Sequence, residues 1–279
     1  RFEVGKFTAP FGYGYHYFPG ILPRWRAHEL YWILESDGFG GTWTFLSDPR
    51  FGEHDLSAAL FTRDQSFLSN TFLTRRPCCY VVAERYERTT PAVGGPGNNG
   101  RLNNVSIALD GDRFGWLPNF SYHLAVLSRG PGQNGTAREL GLAAGARYEY
   151  VWTRDYRTQF FFETVQFNNA GGRPLVIDDA TGATVPQQTT RRFTTLAVRQ
   201  TFGPWHAALA YQRDLQKQAV NPIPTQSYYE VSFGRELFRN ISLDVGYQYS
   251  RVARDPGQSL LDNHTILAML TWRPSFTYP

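Results

Sequence analysis

The chain has no long run of apolar residues. Across its 279 residues no stretch approaches the roughly 18 uncharged apolar residues that a membrane-spanning helix requires, and the mean hydropathy is -0.40. These absences exclude a helical membrane protein. They do not exclude a transmembrane β-barrel, because in such a barrel only every second strand residue faces lipid.

Cysteine is almost absent, and the two cysteines present are adjacent. Cys78 and Cys79 could form a strained vicinal disulfide in an oxidising compartment, pair with another chain, or simply lie in a loop. Two adjacent cysteines do not make a zinc site by themselves, and the chain has no C-x-x-C-H sequence for haem attachment. The histidines are scattered without metal-like spacing. The sequence therefore predicts no metal and no cofactor.

Lysine is limited to Lys6 and Lys217, so arginine supplies nearly all of the basic charge behind the net charge of +4. Arginine presents a planar fork to carboxylates and phosphates. Some arginines fall in segments rich in Gly, Pro and aromatic residues, where they could attract anions, bind lipopolysaccharide phosphates or remain solvated loop charge. These are Arg24, Arg26, Arg75, Arg76, Arg85 and Arg88. Nothing beyond the pI of about 9.1 suggests nucleic acid, and we predict no nucleic-acid partner.

Aromatic residues, by contrast, are abundant: 16 Tyr, 21 Phe and 7 Trp are enough to form girdles at both interfaces of a membrane. In residues 241–251, large apolar or aromatic side chains alternate with small or polar ones, which is the period of a β-strand. The pattern returns in 140–152, 205–214 and 228–237. Repeated strands with one apolar face that ends in aromatic residues are typical of a transmembrane β-barrel, apolar outside and polar inside.

The connections between the predicted strands fall into two length classes. Three are short, at 153–155, 203–204 and 238–240. Four are long and rich in Gly, Pro, Asn, Gln and Asp, at 129–138, 169–190, 215–226 and 252–262. Short turns at one end and long loops at the other favour a bacterial outer-membrane barrel, with the turns periplasmic and the loops extracellular.

We therefore predict a single all-β domain over residues 1–279, an antiparallel transmembrane β-barrel of about 12 strands. The count rises to as many as 16 if strands precede the given sequence, which begins as if in mid-strand and without a signal peptide. Residues 9–26 and 70–100 are predicted to be long loops. One of them either folds into the lumen as a constriction or extends outside the cell.

Charged and polar residues on the wet side of the predicted strands are the candidates for a pore lining. Both signs of charge occur among them, so they could hold a transverse field across the lumen or pair between neighbouring strands. The predicted pore-lining residues are Arg147, Glu149, Arg199, Asp214, Glu230, Glu236, Asp244 and Gln248.

One short segment carries a family resemblance. Residues 4–12 read V-G-K-F-T-A-P-F-G and resemble the G-[KQ]-F-x-x-P-[FL]-G segment of phosphate-selective-porin-like outer-membrane proteins, and residues 54–61 also resemble a porin strand. The resemblance implies that residues 4–12 form a strand entering a loop, in a barrel of about 16 strands that usually trimerises. Family members that select phosphate have lysine-rich lumens, which this chain lacks, so we do not predict phosphate selectivity.

The sequence thus predicts an integral porin of a Gram-negative outer membrane that allows passive diffusion of small hydrophilic solutes or ions. No H-x-S-N-G-like segment of an outer-membrane phospholipase is present, and we predict no enzyme. The expected partners are outer-membrane lipid, lipopolysaccharide and small solutes. Further partners would be other copies of the chain or a protein that fills the lumen.

The alternative function is a scaffold that sheathes a partner such as a multihaem cytochrome in an electron conduit. It depends on small inward residues, which would leave room for a partner or equally for water. These residues are Gly141, Ala143, Gly145, Ala208, Ala210, Ser232, Gly234 and Gly246.

Overall fold

The structure is a computed structural model. The residues that it describes are 1–14, 19–21, 30, 31, 33, 36–66, 90–238, 240–253 and 259–272. Cys78, Cys79 and the six loop arginines named above lie outside these residues. No helix in the described ranges is long or apolar enough to cross a membrane.

The described residues form one large sheet and one small hairpin. Each strand of the large sheet is antiparallel to the strand beside it. The strands are β1 (Phe2–Phe7), β2 (Ser36–Asp48), β3 (Gly52–Arg63), β4 (Asn104–Asp112), β5 (Phe120–Arg129), β6 (Glu139–Thr153), β7 (Tyr156–Asn168), β8 (Leu175–Ile177), β9 (Thr184–Pro186), β10 (Thr189–Phe202), β11 (Trp205–Gln218), β12 (Gln226–Phe238), β13 (Ile241–Val252) and β14 (Leu261–Trp272).

The topology is an up-and-down meander. Within the described ranges, the large sheet has 12 strands in the order β1 to β7 and then β10 to β14, while β8 and β9 pair with each other in the loop between β7 and β10. The prediction of an all-β antiparallel barrel of about 12 strands is confirmed. Most of the long strands have 12 to 15 residues, more than the roughly 9–11 needed to cross a bilayer at a tilt.

The sorting of the connections is also confirmed. The turns at 154–155 and 203–204 are two residues long, and they lie at the opposite end of the sheet from the loops at 169–188 and 253–260. The predicted loop at 215–226 was wrong at its start, because β11 continues to Gln218 in an unbroken ladder with β10. We call the two ends of the barrel the short-turn end and the long-loop end.

The two faces of the sheet have different compositions, as the alternation predicts. Outward side chains are apolar and exposed, whereas inward side chains are small or polar and mostly buried. The run Phe160–Phe162, where the sequence pattern is blurred, still alternates: Phe160 is 49% exposed and faces outward, while Phe161 is 3% exposed and faces inward. The middle residue of the run, Phe161, therefore has a partner inside the barrel.

The inner face encloses part of the chain itself. Residues from the β1–β2 connection pack against inward side chains of β3 through β7 and β10. Residue Ile21 of the same connection reaches β12 and β13, through Glu230 and the space at Gly246. The described hydrogen bonds include no ladder between β1 and β14, but one segment that touches inner faces from β3 to β13 requires a sheet curled around it.

A polar lumen with an inner segment

The chain after β1 turns into the barrel. We call the described part of this connection, residues 9–14, 19–21, 30, 31 and 33, the inner segment. Phe11 is fully buried and its ring lies 5.6 Å from that of Phe167 on β7. The carbonyl oxygen of Pro10 accepts a hydrogen bond from Ser106 on β4 at 2.5 Å. Of the two sequence-based alternatives for residues 9–26, the described residues follow the one that enters the lumen.

Glycines on β6 give the inner segment its space. A Cβ added at Gly141 would lie 2.8 Å from Cζ of Phe11, and one added at Gly145 would lie 3.0 Å from Cδ1 of Tyr13. Any side chain at these two positions would therefore collide with an aromatic ring of the inner segment. The small inward residues of β6 are explained by a protein neighbour.

A buried carboxylate holds the inner segment to β7. Glu163 is 1% exposed. Its Oε1 accepts a hydrogen bond from the backbone N–H of Tyr13 at 2.5 Å, and its Oε2 accepts hydrogen bonds from the N–H of Gly14 at 2.9 Å and the hydroxyl of Tyr31 at 2.5 Å. A buried charge is tolerated only where donors surround it, and here all three donors come from the inner segment.

Tyr13 is further fixed by inward groups of two strands, β5 and β7. Its ring stacks against His123 at 5.6 Å and against Phe161 at 6.0 Å between ring centroids. Its hydroxyl is 2.5 Å from that of Ser121. Phe161, which the sequence pattern left without an evident role, is one wall of this stack.

A second carboxylate anchors the inner segment on the opposite wall. Oε1 of Glu230 on β12 accepts a hydrogen bond from the backbone N–H of Ile21 at 2.7 Å. The Ile21 side chain comes close to Gly246 on β13, where an added Cβ would lie 3.2 Å from Cδ1 of Ile21. The inner segment therefore spans the lumen between two glutamates.

The remaining inner wall, on β10 to β14, is polar and surrounds a cavity. The cavity measures about 270 Å³ and lies at the short-turn end. Arg199, Glu236 and Asp244 contribute to its lining, and Asp244 is hydrogen-bonded to the ring of His206. Carboxylates, a guanidinium and an imidazole thus share one water-accessible space inside the barrel.

The eight predicted pore-lining residues all lie at inward positions of their strands, but in different surroundings. Arg199, Glu236 and Asp244 border the cavity. Glu230 holds Ile21, and Gln248 is buried beside it in the ladder. Arg147, Glu149 and Asp214 lie away from the cavity. That these eight residues line a conducting path stays a prediction.

Two of these outlying residues have clear partners. Asp214, which is 2% exposed, accepts two hydrogen bonds from the guanidinium of Arg191 at 2.6 and 3.1 Å, near the long-loop end. Oε1 of Glu149 lies 3.8 Å from Nη1 of Arg157, at the short-turn end. Both acidic residues are therefore paired with an arginine of the neighbouring strand, and neither forms an open charged surface.

Sequence reasoning missed Glu163, Tyr13 and Tyr31. The signal for Glu163 was present: it is the only acidic residue on β7, at an inward position between Phe161 and Val165. A single carboxylate on an apolar inward face needs donors from elsewhere in the chain. Gly145, which is opposite Glu163 on β6, indicated where those donors enter.

The small inward residues do not support the scaffold alternative. Gly141 and Gly145 are covered by Phe11 and Tyr13, and Gly246 by Ile21. At Gly234 an added Cβ would collide with the His206 and Asp244 side chains. The space that was to receive a partner protein is occupied by the chain's own side chains at these four positions.

The described residues define an antiparallel barrel with an apolar outer wall and a partly filled polar interior, which is the architecture of bacterial outer-membrane channels. The chain is similar to the outer-membrane channel DcaP of Acinetobacter baumannii, with a TM-score of 0.61 and 11% identity over 97% of this chain and 71% of that one. It is also similar to OccAB2 of Acinetobacter baumannii, with a TM-score of 0.52 and 7% identity over 87% of this chain and 58% of that one.

These similarities establish the fold, and the chain spans less than two thirds of OccAB2. No protein-family model matches the sequence, and no curated protein matches it. The resemblance of residues 4–12 to the phosphate-selective-porin-like family therefore stays a prediction. The strand entering a loop that the resemblance implies for residues 4–12 agrees with the fold, since β1 ends at Phe7 and leads directly into the inner segment.

Proposed function

We propose that the protein is an integral channel of the bacterial outer membrane, through which small hydrophilic solutes or ions diffuse passively. The observation that carries the proposal is the polar, cavity-lining inner face of β10 to β14 within a barrel whose outer face is apolar. The fold shared with DcaP, an outer-membrane channel, supports it.

The inner segment would set the width of the path. It covers the inner faces of β3 to β7, so the solute would pass along the polar wall on the other side of the lumen. Arg199, Glu236 and Asp244 would give this wall both signs of charge. Selection would depend on size and on a mixed electrostatic field, and no covalent chemistry is involved.

The test is conductance of the purified, folded protein in a planar bilayer. We expect discrete conducting steps from a colourless preparation. Reversal potentials in asymmetric salt give the ion preference, and the largest neutral polymer that still enters gives the pore width. A folded barrel that inserts into the bilayer without conducting would contradict the channel. A Soret band from a stoichiometric copurifying chain would instead favour the scaffold.

A further inference from the structure

The outer wall changes character near the long-loop end of β10 and β11. Below this level its side chains are apolar, as at Leu196 and Leu209. Above it, Arg192, Arg213 and Lys217 occupy outward positions and are exposed. Charged side chains are costly where they meet acyl chains. Three cations at the edge of a lipid-facing wall therefore require a compensating interaction.

The three cations form a compact group. Arg192 is directly opposite Leu215 in the β10–β11 ladder, and Arg213 and Lys217 are each two residues from Leu215 on β11. At the spacing of a β-sheet, the three backbone positions lie about 5 to 7 Å from that of Leu215. Their long side chains can converge on one group of a few ångströms across.

No carboxylate of the described wall neutralises this group. Asp214, Glu163 and Glu230 face inward, and the ion pairs of the described residues include none to Arg192, Arg213 or Lys217. Arg192 is hydrogen-bonded to the side-chain oxygen of Gln166. In the β8–β9 hairpin above, the carboxylate of Asp178 is used by Thr181 and Ala180 within the same turn.

Apolar concavities lie directly beneath the cations on the outer wall. One, of about 750 Å³, is lined by outward side chains that include Leu196, Tyr211 and Tyr229, and Tyr211 is two residues below Arg213. A second, of about 610 Å³, includes Leu142 and Ala144 and has Arg192 on its rim. Charge above and apolar grooves below match a molecule with an anionic head and acyl chains.

We propose that this surface, Arg192, Arg213 and Lys217 with the grooves beneath them, binds a phosphorylated lipid of the outer leaflet. The headgroup phosphates contact the three cations and the acyl chains lie in the grooves. The proposal rests on the placement of the barrel in the outer membrane. Charge complementarity selects the lipid over a second copy of this surface, because a symmetric contact would bring like charges together.

The test is lipid binding by native mass spectrometry of the folded protein in detergent. The probes are lipid A, an acylated glucosamine disaccharide with two phosphates, and zwitterionic phosphatidylethanolamine. The variant Arg192→Gln/Arg213→Gln/Lys217→Gln removes the cations. The matched control, Arg50→Gln/Arg154→Gln/Arg235→Gln, removes the same charge at the short-turn end. Heat-modified gel migration and circular dichroism show that each variant is folded.

We expect the wild type and the control to prefer lipid A, and the triple variant to bind it roughly 100-fold more weakly, since each cation near an anionic lipid surface strengthens binding about five-fold. Equal lipid A affinity in all three proteins would overturn the proposal. So would unchanged lipid A affinity with a changed oligomeric state in the triple variant, which would assign the surface to another copy of the chain.

Conductance separates this proposal from the channel. The triple variant is expected to conduct as the wild type does, because its three positions face away from the lumen. A wild type that binds lipid A through this surface but does not conduct would contradict the proposed channel function and support the lipid site. A wild type that conducts but shows no preference for lipid A would support the channel function and contradict the lipid site.

Discussion

The two halves of the barrel interior use similar small and polar residues for different purposes. On β3 to β7, which we call the filled half, inward residues pack against the inner segment in a core of Phe11, Phe61 and Phe167. On β11 to β14, which we call the polar half, inward residues such as His206 and Asp244 border a cavity. Strand β10 belongs to both, with Phe193 in the core and Arg199 on the cavity.

In the middle of the strands, the outer faces of the two halves are alike. Leu124 and Val126 on β5 are exposed and apolar, and so are Val231 and Val245 on β12 and β13. At this level, the difference between the halves therefore lies on the inner face. It shows that an inward glycine or alanine indicates space, while its surroundings decide whether protein or water occupies that space.

The largest expected effect comes from removing the carboxylate on which the filled half depends. In Glu163→Ala, the buried N–H groups of Tyr13 and Gly14 and the hydroxyl of Tyr31 lose their acceptor. Unsatisfied buried donors are costly, and we expect the free energy of unfolding to fall by about 3 kcal/mol or more. Release of the inner segment should also raise the single-channel conductance.

Urea unfolding in lipid vesicles measures the first effect and planar-bilayer recording the second. The matched control is Glu236→Ala, which removes an exposed carboxylate at the cavity of the polar half. It should change stability by less than about 0.5 kcal/mol. Equal losses in the two variants would mean that the halves are not distinguished by an inner segment anchored at Glu163.

The next largest effect tests the outer face of the polar half. Val245 is outward, 47% exposed and near the middle of β13. An arginine at the bilayer midplane of a barrel wall costs about 2–4 kcal/mol, so Val245→Arg should destabilise the barrel by that amount. Urea unfolding in vesicles is again the measurement. A variant as stable as the wild type would reverse our assignment of inside and outside.

The fold was predictable because strand alternation and loop sorting are local properties. Residues 241–251 specify their own two faces, and the Gly203–Pro204 turn sets the β10–β11 register without help from the rest of the chain. The content of the lumen was not predictable in this way. Tyr13 and Glu163 are 150 residues apart in sequence, and their contact depends on how the whole sheet curls.

The pore-lining predictions were limited by the same cause. Period-two alternation placed Asp214, Glu230 and Asp244 on the inner face, but alternation gives no information on what each one faces. Asp214 meets Arg191, Glu230 meets the backbone of Ile21, and Asp244 meets His206 beside the cavity. These outcomes follow from cross-strand register and from the inner segment, neither of which is encoded within a single strand.

A smaller effect separates occupied space from open space. Gly141→Leu places a side chain where Phe11 already lies, and overpacking of this kind costs about 1–3 kcal/mol. Ala208→Leu places the same side chain at the cavity of the polar half. We expect it to lower conductance with little loss of stability. If Ala208→Leu proves to be the less stable variant in urea and Gly141→Leu the one with the lower conductance, our placement of the inner segment against the filled half is wrong.

The smallest change in stability, with the sharpest contrast, comes from two aspartate–histidine pairs on the inner wall. Asp244 is hydrogen-bonded to His206 in the polar half, and Asp110 to His123, at 2.8 Å, in the filled half. Replacing either aspartate by asparagine removes one negative charge and weakens one hydrogen bond, at a cost of about 1 kcal/mol.

Only Asp244 borders the cavity through which we propose that solutes pass. Asp244→Asn should therefore shift the reversal potential in asymmetric salt in the direction of greater anion preference. Asp110→Asn should leave it close to the wild-type value. A larger shift in Asp110→Asn would place the conducting path along β4 and β5, beside the inner segment rather than opposite it.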